Sequence, residues 1–248
     1  PALKIIVERE REISSFKPQP YWQVFAHLDW EASGVPKPAE ECIFHHPKDI
    51  FDEKELEKFK DIQEAVAQTK KSEEKIHPGV PFDLTTLQRE AYRVYKINPS
   101  EALQIAQRLY LDGLISYPRT SSQKIPKEIE PKKILNALEK HFPEAKFAAR
   151  DKPIEGNKTD PAHPSIYPTG DFKKLSGKDE KIYNLIVKRF IAAFSPDART
   201  ANKRVTLVAK KDLKFIANGQ VILERGWTSF YPTELEQHDI PDLDGKVK

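Results

Sequence analysis

Apolar and polar positions follow two rhythms along this chain, and the change from one to the other divides it. Leu3, Ile5, Ile6, Val7, Ile13 and Phe16 recur at helical spacing around the mixed-charge run Glu8-Arg9-Glu10-Arg11-Glu12, which predicts a helix ended by Pro18 and Pro20. Trp22, Val24, Ala26 and Leu28 then alternate with Gln23 and His27, the period of a strand, and Glu41-Cys42-Ile43-Phe44 reads as a second short strand. Asp52 and Glu55 have capping-box spacing, and Leu56, Phe59, Ile62 and Val66 follow at helical intervals. A helix is expected there, ending in the charged linker Lys70-Lys71-Ser72-Glu73-Glu74-Lys75.

Beyond Pro78-Gly79 the helical rhythm dominates. Thr85 and Gln88 suggest a capping box opening a helix with Leu87, Ala91, Val94 and Tyr95 inward. Ser100, behind Pro99, is expected to cap the next, with Ala102, Ile105, Ala106 and Leu109 as its buried stripe and Gly113 at a left-handed C-cap. Leu114-Ile115-Ser116-Tyr117 reads as extended and fixed by Pro118, so the order is helix, helix, strand, as in a winged-helix type module. Further helices are expected at 132–146 and 178–194. From Arg204 the period changes to alternation: residues 205–208 form one strand, and residues 213–217 and 220–223 flank Asn218-Gly219 as a hairpin with a type I′ turn. Isolated hairpins are marginal, so these late strands are expected to join the early ones at 21–46 in one sheet, with the helical middle inserted between them. The fold class is α+β.

Composition narrows the function. No apolar stretch approaches the ~20 residues that span a bilayer, and a lone cysteine, Cys42, excludes a disulfide framework and a four-cysteine zinc site. A start at Pro1 with no methionine anywhere is expected of a piece cut from a longer protein, or of a sequence whose modified methionines are left out. The formal charge of +3 hides a division: residues 1–85 carry −5, residues 86–225 carry +11 and the remainder −3. A segment that basic is suited to phosphate contacts, although basic surfaces also serve solubility.

Candidate chemistry begins with exclusions. Neither GxxxxGK[ST] nor GxGxxG occurs, so nucleotide hydrolysis and dinucleotide binding lack support. His45-His46 lacks metal-ligand spacing, and Asp239, Asp242 and Asp244 fail the spacing of a calcium loop. What remains is Ser116-Tyr117-Pro118-Arg119-Thr120-Ser121-Ser122-Gln123. In an extended chain residues two apart share a face, so the Tyr117 hydroxyl and the Arg119 guanidinium address one phosphate, with Pro118 stiffening the link. A phenol becomes an effective nucleophile when a cation holds the phosphoryl oxygens, and the hydroxyls of Thr120, Ser121 and Ser122 are neutral phosphate donors. Taken alone, these few residues favour a turn around a satisfied core tyrosine over a catalytic one. His163, in the proline-stiffened loop Asp160-Pro161-Ala162-His163-Pro164-Ser165-Ile166-Tyr167-Pro168-Thr169, is a candidate proton donor or phosphate ligand, or an ordinary loop histidine.

Four segments in order carry a resemblance: Leu87-Gln88-Arg89-Glu90-Ala91, then residues 102–110 (ALQIAQRLY), residues 113–123 (GLISYPRTSSQ) and residues 162–169 (AHPSIYPT). Together they resemble the type IA DNA topoisomerases, nearest to their archaeal-type branch. Leu3 to Phe16 resembles the helix after the family's GRVQ motif, and residues 226–232 (GWTSFYP) the end of its second pass through the arch. The resemblance implies that Tyr117 is the nucleophile, that Arg119 stabilises the scissile phosphate and that His163 is a partner at the same phosphate. It implies DNA-binding roles for Arg108, Thr120, Ser121, Ser122, Gln123 and Thr169. Tyr117 would attack single-stranded DNA to give a 5′-phosphotyrosyl link and a 3′-hydroxyl, then rejoin the strand without ATP. Many members have Asp where this chain has Ser121, so no acid role falls there. The family's toprim domain, which binds Mg2+, has no counterpart in these residues, so the resemblance implies half an active site.

The expected architecture is a β-rich arch domain at 19–81 and 199–231 with an inserted, mainly helical winged-helix type domain at 82–198 bearing Tyr117. Residues 1–18 and 232–248 are expected to belong to, or lead back to, a neighbouring domain. The expected partners are DNA, as a single-stranded segment of a duplex, and the remaining domains of the same chain, in a monomeric protein of the cytoplasm associated with the nucleoid and not with a membrane. The rival reading is a non-enzymatic winged-helix DNA-binding module, and a further one is an inter-domain arm whose basic surface contacts a protein.

Overall fold

A computed structural model describes residues 2–34, 36, 38 and 42–248. In chain order the regular elements are α1 (Ala2–Ser15), β1 (Phe25–Ala26), β2 (Phe44–His45), β3 (Ala65–Ile76), α2 (Leu84–Tyr95), α3 (Pro99–Leu111), α4 (Pro131–Leu138), α5 (Gly177–Ala193), β4 (Ala198–Ala209), β5 (Lys214–Glu224) and β6 (Gly245–Val247). The strands form one sheet in the order β1-β2-β5-β4-β3-β6, with β1–β2, β2–β5 and β3–β6 antiparallel. Early and late strands thus share a sheet and the four helices α2 to α5 lie between β3 and β4 in sequence, so the fold mixes helix and sheet as expected. No helix among the described residues is long and apolar enough to cross a membrane.

The chain divides into two compact units, one of Pro1–Ser72, Asn202–Gln220 and His238–Lys248, the other of Glu73–Ala201 and Val221–Gln237. The first has its core in Phe44, Ala67, Val205, Leu207, Phe215, Ile240 and Leu243. Its helix α1 contributes nothing to that core: no residue of α1 is buried, and Leu3, Ile5 and Ile6 stand in solvent. In the second unit α2, α3 and α5 pack together around Leu87, Ile105, Leu109, Leu185, Ile186 and Phe190.

Local chemistry sets the helix boundaries, two of them at residues other than those expected. The α2 cap is Asp83, whose carboxylate accepts from Thr86 N–H at 2.7 Å while the Thr86 hydroxyl accepts from Asp83 N–H at 3.0 Å, so the capping box sits two residues earlier than residues 85–88. Asn98 rather than Ser100 caps α3, accepting from Glu101 N–H at 2.9 Å, with Pro99 in the first turn. Gly113 takes the left-handed conformation expected of it, at φ 75°. The stretch 132–146 is α4, ending at Leu138, and then a separate 3-10 segment, Pro143–Phe147, with Pro143 in its first turn.

The sheet departs further from the sequence pattern. The helix expected over residues 52–66 is a 3-10 segment, Glu53–Phe59, and the charged linker belongs to the twelve-residue strand β3. Tertiary pairing overrides helical spacing here: residues 65–67 pair with β6, the Thr69 hydroxyl donates to Leu243 O at 2.8 Å, and Thr69 N–H donates to Asp244 at 3.0 Å. Of the strand expected at 21–28 only Phe25–Ala26 and a Trp22–Ile50 bridge are regular. Of the strand expected at 41–44, Phe44 starts β2, and Glu41 lies outside the described residues.

The hairpin at Asn218-Gly219 is not formed: β5 runs continuously through it. Gly219 serves close approach instead of a turn. A Cβ there would lie 2.9 Å from His238 O and 2.8 Å from the Ile240 side chain, where Gln220 and His238 exchange backbone hydrogen bonds of 2.7 and 3.0 Å. Gly219→Ala is therefore expected to destabilise the chain by about 1–3 kcal/mol, read as a lowered urea midpoint with unchanged slope.

Candidate functional site

Residues 113–124 leave α3 and run beside residues 163–169, tied to them by backbone bonds rather than by a long strand pairing. Ser116 N–H donates to Tyr167 O at 2.9 Å, Thr169 N–H to Leu114 O at 3.0 Å, and Ser165 N–H to Lys124 O at 2.9 Å. The Ser116 hydroxyl donates to Ser165 O at 3.0 Å and accepts from Tyr167 N–H at 3.0 Å. Leu114, Ile115 and Ile166 are buried beneath this clasp. Ile166 N–H reaches Phe82 O at 2.7 Å, and Leu84 N–H reaches Thr120 O at 3.0 Å, so the start of α2 is fastened to the same place.

The clasp brings Tyr117 and His163 together. Their rings lie 4.6 Å apart between centroids, tilted by 48°, and Tyr110 from α3 meets Tyr117 edge-on at 5.4 Å. Tyr117 and His163 are half-buried and Arg119 is exposed. Among the described residues the Tyr117 hydroxyl, the Arg119 guanidinium and the imidazole nitrogens of His163 have no hydrogen bond or ion pair. Tyr117 is therefore not the satisfied core tyrosine that its sequence context also allowed.

Asp160 holds the second loop in place. Its carboxylate accepts from Ala162 N–H at 2.9 Å and His163 N–H at 3.1 Å, and from the N–H and hydroxyl of Ser121 at 3.4 and 3.2 Å. Backbone donation by Ala162, then His163 and Ser121, holds its pKa below the ordinary aspartate value. An aspartate before Pro161 in a loop is an Asx-turn signal, the one sequence cue for this role.

Asp83 anchors the other side. It is buried, which by itself favours the neutral acid, but hydrogen bonds from Thr86 and the Lys158 ammonium at 3.3 Å outweigh burial and leave its pKa lowered. Its second oxygen also accepts from the Gln123 amide at 3.1 Å.

The other proposed DNA contacts are placed differently. Thr120 and Ser122 are buried; the Thr120 hydroxyl donates to His163 O at 3.3 Å and accepts from Ser122 N–H at 3.0 Å, while Ser122 Oγ accepts from Lys124 N–H at 3.2 Å. Ser121 is exposed beside Asp160. The Thr169 hydroxyl donates to Gly113 O at 2.7 Å. Arg108 grips Asp179 through Nε at 3.1 Å and Nη2 at 2.6 Å, joining α3 to α5. Each of these side chains is hydrogen-bonded within the protein and none takes part in the Tyr117–His163 contact. Among the described residues no three His, Cys, Asp or Glu side chains converge as metal ligands.

Three comparisons bear on this arrangement. The family model described as DNA topoisomerase matches residues 1–247. DNA topoisomerase 1 of Methanocaldococcus jannaschii is 40% identical over 98% of this chain and 32% of its own length, and DNA topoisomerase 1 of Pyrococcus horikoshii is 40% identical over 98% of this chain and 37% of its own. The chain thus spans about a third of the curated relatives it matches. Among solved structures, full-length topoisomerase I from Thermotoga maritima superposes with a TM-score of 0.68 at 27% identity, covering 99% of this chain and 42% of that one.

Proposed function

Since the chain belongs to the type IA DNA topoisomerase family, we propose that it carries the nucleophile half of a strand-cleaving site, with Tyr117 as the residue that becomes joined to DNA. The observation that carries this reading is the Tyr117–His163 ring contact at 4.6 Å beside an unpaired Arg119, in a region where neighbouring polar side chains are hydrogen-bonded. The Tyr117 oxygen attacks the phosphorus of a single-stranded phosphodiester. A new phosphorus–oxygen bond forms to the 5′-phosphate as the phenol gives up its proton, the bond to the 3′-oxygen breaks, and the 3′-oxygen leaves as a hydroxyl on taking up one proton, so the exchange is proton-neutral overall. Arg119 forks onto the non-bridging oxygens, whose charge it offsets as the phosphorus becomes five-coordinate, and His163 donates to the same phosphate. The ester stores the bond's free energy, so rejoining needs no nucleotide.

We read residues 82–198 as the winged-helix type domain bearing the tyrosine, residues 19–81 and 199–231 as the β-rich arch, and the two ends as belonging to a neighbouring domain. Among the described residues no group of three or more His, Cys, Asp or Glu side chains is gathered as metal ligands. The Mg2+ of the intact enzyme is assigned to the toprim domain outside these residues. Single-stranded DNA and that domain are the partners, and the working form is a monomer acting at the nucleoid.

The test uses the intact enzyme with magnesium and a single strand labelled at its 3′ end. After denaturation the label is expected on a peptide containing Tyr117; no adduct, or an adduct elsewhere, removes the proposal. Arg119→Lys keeps the charge and loses the planar fork, so cleavage is expected to slow on the order of 10–100-fold while DNA affinity changes little. Equal cleavage rates would contradict the role given to the fork.

A further inference from the structure

Outside the clasp, Arg89, Glu90, Tyr92 and Arg93 of α2, with Gln88 and Arg189, line a cavity of about 620 Å³. Its size is within the range of ~300–1,000 Å³ ordinary for ligand sites. Its charge is unbalanced. Glu90 is the single carboxylate in the lining and is fully engaged: it accepts from Arg93 Nε at 2.8 Å, Arg189 Nη2 at 2.8 Å and the Tyr231 hydroxyl at 2.7 Å. Arg89 is exposed and has no partner among the described residues.

The third arginine is fixed. The Arg189 guanidinium lies over the rings of Phe82 and Tyr231 at 4.6 and 4.5 Å, and a Cβ on Gly79 would come within 1.3 Å of its Nη1. At the rim Tyr92 is 55% exposed, with Lys96 Nζ 5.6 Å from its ring centre. Guanidinium groups select phosphates or carboxylates. An exposed ring beside them offers a π-face that a nucleobase fills and an acidic side chain does not.

We propose that this groove is a second seat for single-stranded nucleic acid, taking a phosphate at Arg89 and at Nη1 of Arg93, whose Nε and Nη2 are held by Glu90 and Pro232 O, and an adjoining base against Tyr92. None of Tyr117, Arg119 and His163 lines it. The choice of a nucleic-acid strand rests on the reading of the chain as half of a DNA-cleaving enzyme, while the site itself rests on the cavity and its charge.

A labelled oligothymidine, followed by fluorescence anisotropy with the chain at several salt concentrations, tests it. Arg89→Ala is expected to weaken binding about fivefold and to lower the salt slope by about one. Tyr92→Leu is expected to weaken it on the order of tenfold with an unchanged slope. Both residues are exposed, and unchanged melting by circular dichroism is expected to accompany both losses. Wild-type affinity in both variants overturns the proposal, as does failure of the unaltered chain to bind the strand. Equal competition by an acidic peptide, with no effect of Tyr92→Leu, overturns it in favour of a protein ligand. Covalent capture at Tyr117 is read separately in the intact enzyme, so a negative result here with capture intact removes the groove alone.

Discussion

Replacing Tyr117 by phenylalanine is expected to abolish covalent capture of DNA by the intact enzyme, a drop on the order of 10⁵-fold or more in cleavage. The substitution removes one oxygen and keeps the ring. The contacts that hold that ring, with His163 at 4.6 Å and Tyr110 at 5.4 Å between centroids, are therefore retained, as is the backbone clasp around Ser116 and Tyr167. Folding and strand affinity are expected near wild type, which separates loss of the nucleophile from loss of the site. The measurement is denaturing gel analysis of a 3′-labelled strand after reaction with magnesium. Persistent adduct in the phenylalanine variant would mean that another side chain attacks.

The largest effect on stability is expected from Glu90→Ala. Glu90 holds Arg189, Arg93 and the Tyr231 hydroxyl together, and Glu90 and Arg189 expose only 16% and 12% of their side chains. Removing the carboxylate leaves a buried guanidinium between two rings without its counter-charge, at a cost of about 3–5 kcal/mol. Arg189→Met is expected to cost less, about 1–2 kcal/mol, because Glu90 keeps Arg93 and Tyr231. Urea denaturation measures both; a loss below about 1 kcal/mol for Glu90→Ala would show that solvent already screens the cluster. Burial pushes the Glu90 carboxyl up, and the hydrogen bonds from Arg93 and Tyr231 with the charges of Arg189 and Arg93 bring it below its ordinary value of 4.5. A folded-state pKa below the unfolded one stabilises above the unfolded value and ceases to do so as pH falls through the folded one. The gap between wild type and Glu90→Ala is therefore expected to be full near neutral pH and to shrink below about pH 4. The same hydrogen bond to Glu90, with burial as the larger cause, pushes the Tyr231 hydroxyl far above an ordinary phenol.

Tyr117, Pro118 and Arg119 stand out as candidates in the sequence for a physical reason: they are contiguous, and in an extended chain residues two apart share a face with nothing distant needed. What holds them was not legible. Asp83 meets Gln123, Asp160 meets Ser121 and Arg108 meets Asp179 across long stretches of chain. Residue type alone does not distinguish an arginine facing solvent from one already gripped by a carboxylate. The strands show the same limit. Asn218-Gly219 has the composition of a turn, yet the glycine there makes room for the backbone at His238, and β3 takes its register from β6 against helical spacing. Helices α2, α3 and α5 were readable because their apolar stripes are local, although the caps of α2 and α3 fall at Asp83 and Asn98 rather than at the residues expected.

The clasp around Tyr117 also determines what happens to anything attached to it. Both of its flanks are pinned through main-chain amides and carbonyls, Ser116 to Tyr167 and Lys124 to Ser165, and Pro118 removes a further rotation. A severed strand end esterified at that oxygen would have almost no slack of its own. On the reading of Tyr117 as nucleophile, such an end would be held to the backbone of this clasp, with only the tyrosine's own side-chain torsions left to move it.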